Sequence, residues 1–101
     1  MADFAESYRA YREAKARLDL DMAIAPEHYG EVGAVEFERL NDEHVEAIDR
    51  LLMTPATTAD EVAIKIDVVV AEGIHDNWHL AGPIMALLRC DASRVLLGRP
   101  I

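Results

Sequence analysis

The sequence has one cysteine, few aromatic residues and no long hydrophobic run. A single cysteine, Cys90, excludes an intrachain disulfide and a cysteine-rich zinc site. The apolar runs are short, as at residues 68–71, whereas a membrane-spanning helix needs ~20 consecutive apolar residues. The first residues also lack the basic and apolar segments of a secretory signal. We therefore expect a cytoplasmic protein.

Basic residues are nearly absent from the middle third of the chain, where acidic residues collect. Residues 18–49 contain ten acidic side chains and one basic side chain, Arg39, while the two flanking segments are close to neutral. This segment accounts for the formal net charge of −9. Concentrated negative charge attracts basic surfaces and repels nucleic acid. We expect a basic protein partner, such as a nucleic-acid-binding enzyme, and no direct binding to nucleic acid or membrane.

Helical spacing dominates the apolar pattern and predicts an all-α fold, a small bundle of about four helices in a single domain, residues 1–101. Asp3 and Glu6 form a capping box at the first helix, and Pro26 should end that helix near Ile24. Pro26 could instead open the next helix. The apolar residues at helical spacing in the first helix are Phe4, Tyr8, Tyr11, Leu18 and Met22.

A second helix is predicted over residues 34–53, and its acidic residues are the candidate partner-binding set. At 100° per residue, Glu38, Asp42, Glu46 and Asp49 fall on one face, the expected solvent side, away from the apolar residues. A solvated acidic face is also the ordinary exterior of a soluble helix, so solubility is the competing interpretation. The candidate residues are Glu36, Glu38, Asp42, Glu43, Glu46 and Asp49.

Residues 62–70 alternate β-branched and polar residues as a strand does. A capping box at residues 58–61 and a glycine at position 73 favour a helix over residues 59–72 instead. This helix would be apolar nearly all round, which indicates a central position or contact with a second subunit. A homo-oligomeric structural module, with a homodimer as its simplest form, is therefore the alternative to a non-enzymatic protein that binds a basic partner.

The last helix has two possible starts. Pro83 could lie in its first turn, or Gly82-Pro83 could kink a longer helix that begins near Asn77. The candidate buried face consists of Ile84, Leu87, Leu88 and Val95.

The stretch Leu51-Leu52-Met53-Thr54-Pro55-Ala56-Thr57, followed by Asp60, Ala63 and Lys65, resembles a pattern in small helical proteins encoded in alphaproteobacterial genomes and prophage-like regions. Those proteins are uncharacterised. The resemblance implies a helix over residues 59–72 and a phage context, and it implies no activity and no site residues.

His75 and His79 have the spacing of half a metal site on a helix, and Glu72 with His75 has the Glu-x-x-His spacing of di-iron bundles. A di-iron site needs a second such motif and two more glutamates. Gly73 should also break the helix between Glu72 and His75. We therefore expect no metal and no cofactor. A metal-dependent enzyme ranks third among the functions.

No catalytic residues are predicted. Arg39 and His44 share an Arg-x4-His spacing with some helical ribonucleases, but the surrounding acids would repel RNA. Ser7 and Ser93 lack a nucleophile elbow, and Cys90 is expected to be a small core residue. Three polar residues fall on apolar faces and need hydrogen bonds or an exit to solvent: Lys15, Asn41 and His44.

Overall fold

Four helices make up most of the computed structural model, which describes residues 3–25 and 34–99. They are α1 (Phe4–Ile24), α2 (Ala34–Leu52), α3 (Ala59–Glu72) and α4 (Ala81–Leu96), and the described residues contain no strand. The prediction of an all-α fold with about four helices is confirmed. The alternative in which Pro26 opens a helix lies outside the described residues.

Contacts divide the chain into two compact units, Met1–Ile48 and Asp49–Ile101. Helix α2 begins in the first unit and ends in the second. The single domain expected from the sequence stays a prediction. None of the described helices is both long and apolar enough to span a membrane.

In the first unit, α1 begins and ends where its sequence signals indicate. The Asp3 carboxylate accepts a hydrogen bond from the Glu6 backbone N–H at 2.8 Å, so the predicted cap is present. Tyr8 is only half-buried and Met22 is exposed, so two of the five apolar residues at helical spacing lie outside the buried face. The buried face follows a 3,4,3,4 spacing instead: Phe4, Ser7, Tyr11, Ala14 and Leu18.

In the second unit, α3 spans the predicted residues because both of its ends carry local signals. The Thr58 hydroxyl accepts a hydrogen bond from the Glu61 backbone N–H at 3.1 Å, and Gly73 takes the left-handed conformation at the C-cap, with φ 65°. Pro83 lies in the first turn of α4, which confirms the first of the two predicted starts. Ile84 is buried as expected, whereas Leu87, Leu88 and Val95 are half-buried.

Helix α3 is not buried all round. One face is buried and includes Val62, Val68 and Val69, while Ile66 and Val70 are 46% and 67% exposed. The predicted central position is therefore wrong. A lysine, Lys65, lies at the middle of the buried face, and its burial depends on a charged partner on α4.

Candidate functional site

Three carboxylates form an exposed acidic face on α2. Glu38, Asp42 and Glu46 follow one another at intervals of four residues, or about 6 Å along the helix. All three are exposed, and no hydrogen-bonding or ion-pair partner lies near them among the described residues. Their charges are therefore available to an external cation.

Two other candidate carboxylates are paired within the first unit. Arg39 lies 2.5 Å from Glu36 through Nη2 and 2.8 Å from Glu43 through Nη1. Glu43 also approaches Arg17 at 3.7 Å. The hydrogen bond and the charge of Glu36 raise the pKa of Arg39 above its usual value, so the guanidinium stays charged. Glu36 and Glu43 thus border the acidic face, with their charges partly compensated.

Asp49 differs from the other candidate carboxylates because it contacts two residues in the turn before α4. One of its carboxylate oxygens accepts a hydrogen bond from the Trp78 indole N–H at 2.9 Å, and the other lies 2.7 Å from His79 Nε2. The Asp49 side chain is only 22% exposed. Its expected place on the solvent side of α2 is therefore wrong, because it holds the turn before α4.

The two histidines of the possible metal site do not share a helical face. Both lie in the turns between α3 and α4, where Gly73 has already ended the helix. His75 is exposed, and His79 pairs with Asp49. Across residues 3–25 and 34–99, no group of three or more His, Cys, Asp or Glu side chains is arranged to hold a metal ion.

A buried ion pair connects α3 and α4, and the sequence did not reveal it. Lys65 Nζ lies 2.6 Å from Asp91 Oδ2, with the two side chains 1% and 0% exposed. Arg94 donates to the second Asp91 oxygen at 3.0 Å and to the Ala56 carbonyl at 2.6 Å. Burial lowers the pKa of Lys65, and the hydrogen bond with Asp91 opposes that shift. The network joins both helices to the loop before α3.

The spacing of apolar residues around Lys65 and Asp91 in the sequence does contain a signal for this network. Lys65 has valines at positions i − 3, i + 3 and i + 4, and Asp91 has leucines at i − 4 and i − 3. A charged residue centred on an apolar helical face must be paired or must reach solvent. Two such residues of opposite sign on neighbouring helices would have indicated a buried pair.

The remaining candidates are separated from one another. Arg39 is exposed, whereas His44 is 8% exposed and its ring stacks on Tyr11 at 5.9 Å, so the ribonuclease-like pair forms no joint site. Ser7 is buried, and Asn41, Ser93 and the free Cys90 are half-buried.

An open cleft of about 580 Å³ runs along α1. Lys15, which is half-buried, is one of the residues that line the cleft. The lining carries charges of both signs and so favours no single class of ligand: Arg9, Arg12, Glu13, Lys15, Ala16 and Asp19.

No protein-family model, curated protein or solved structure matches this chain. The functional argument therefore depends on the geometry of the described residues.

Proposed function

We propose that this chain is a non-enzymatic interaction protein whose acidic α2 face binds a basic surface on another macromolecule. The observation that carries the proposal is the row formed by Glu38, Asp42 and Glu46. All three are exposed and have no charged partner in the described part of the chain. A lysine or arginine from a partner would meet a carboxylate on every turn of the helix.

The placement of charge supports binding over simple solubility. A chain that needed only solubility could spread its acids evenly, whereas this one confines its net charge to residues 18–49. A segregated field accelerates the encounter with an oppositely charged surface. Arg39 pairs with Glu36 and Glu43 beside the open row and leaves the three carboxylates of that row unneutralised.

The narrower form of the proposal is an inhibitor that occupies the nucleic-acid-binding groove of an enzyme. A row of carboxylates on a helix offers such a groove negative charge in place of phosphates. The resemblance around residues 51–57 to proteins of prophage-like regions adds a setting, in which the inhibitor would be a phage-encoded anti-defence protein.

The experiment compares two variants with equal net charge. The first neutralises the face: Glu38→Gln, Asp42→Asn and Glu46→Gln. The second neutralises three exposed acids elsewhere: Glu13→Gln, Asp19→Asn and Asp76→Asn. The wild type and both variants are immobilised and exposed to an extract of the source cell at about 50 and 500 mM salt. The affinity of each captured protein for the wild type and for the two variants is then measured.

A basic protein should bind the wild type and the second variant at low salt, and the first variant about tenfold or more weakly. The loss should lie mainly in the association rate, and high salt should reduce wild-type binding. Equal affinities for both variants, without salt dependence, would leave the charge as a solubility feature. A captured nucleic-acid-binding enzyme whose nucleic acid competes with this chain would support the narrower form.

A further inference from the structure

We draw no further inference here: the strongest candidate, the exposed apolar patch on α3 that includes Ile66 and Val70, carries no proposal because nothing in the described part of the chain shows what covers it.

Discussion

At the scale of single residues, the greatest energetic consequence is expected at Lys65 and Asp91. Moving two charges out of water costs free energy that only a close and fully hydrogen-bonded pair offsets. Asp91 meets this condition because Lys65 and Arg94 bind its two oxygens. Removal of Asp91 would leave the Lys65 charge buried and uncompensated, and removal of Lys65 would leave Asp91 with Arg94 alone.

We predict that Asp91→Leu lowers the free energy of unfolding by about 3–5 kcal/mol. Lys65→Met should also destabilise the protein, whereas the double variant should recover most of the loss, since it removes both fully buried charges and leaves Arg94, which is 32% exposed, with the Ala56 carbonyl. Urea denaturation of the four proteins gives the coupling energy. Asp19→Leu, at an exposed site, is the control and should change stability by no more than about 0.5 kcal/mol. Additive single effects would mean that the two residues are not coupled.

The same lysine makes stability depend on pH. Burial holds the pKa of Lys65 below its usual value of 10.5, with Asp91 partly opposing the shift. Between the lowered value and 10.5 the unfolded chain binds more protons than the folded one, so the free energy of unfolding rises with pH in that window. Relative to Lys65→Met, the wild type should therefore gain stability as the pH approaches 10.5. A relative loss would mean that the attraction of Asp91 outweighs burial.

Asp49 should matter for stability as well as for charge. Asp49→Ala removes the acceptor for the Trp78 indole N–H and the contact with His79, and we expect a cost of roughly 1–3 kcal/mol. Trp78 is the only tryptophan, so its fluorescence reports this site, and its emission should shift to the red. Glu46→Ala, one turn earlier and exposed, should leave the emission and stability unchanged. An identical spectrum for Asp49→Ala would contradict the anchoring role.

At the scale of elements, the sequence predicts the bounds of helices better than it predicts which distant residues pair. The bounds of α3 follow from Thr58, Glu61 and Gly73, whose effects reach only a few residues along the chain. The acidic face of α2 likewise follows from periodicity alone. The partners of Lys65 and Asp49 lie 26 and about 30 residues away, so only the packing of helices and turns brings them together. The sequence therefore predicted the helices and the acidic face, and it missed the buried pair.

The end of α3 offers a test of one such local signal. Gly73 has φ 65°, and a Cβ atom added there would meet nothing within 4 Å. Gly73→Ala should therefore destabilise the protein by about 1 kcal/mol through backbone strain alone. Gly73→Asn should cost less, because asparagine tolerates the left-handed conformation better. Equal melting temperatures for all three proteins would mean that the helix end relaxes.

At the scale of the whole molecule, charge and stability are separable. The acidic face takes no part in the buried contacts of the first unit, whereas the Lys65–Asp91 pair is enclosed in the second. Substitutions at Glu38, Asp42 and Glu46 should therefore alter the binding of a partner without destabilising the buried core.

Helix α2 is the physical reason to expect that the two units unfold together. It passes without interruption from the first unit into the second, and helix formation is cooperative along its length. We predict a single transition in urea, with far-UV circular dichroism from all four helices coinciding with the fluorescence of Trp78, which reports the second unit alone. Asp91→Leu acts on the second unit, so it should shift both curves by the same amount. If the fluorescence transition moved while part of the helical signal stayed in place, the units would be separate domains, and the single domain expected from the sequence would be wrong.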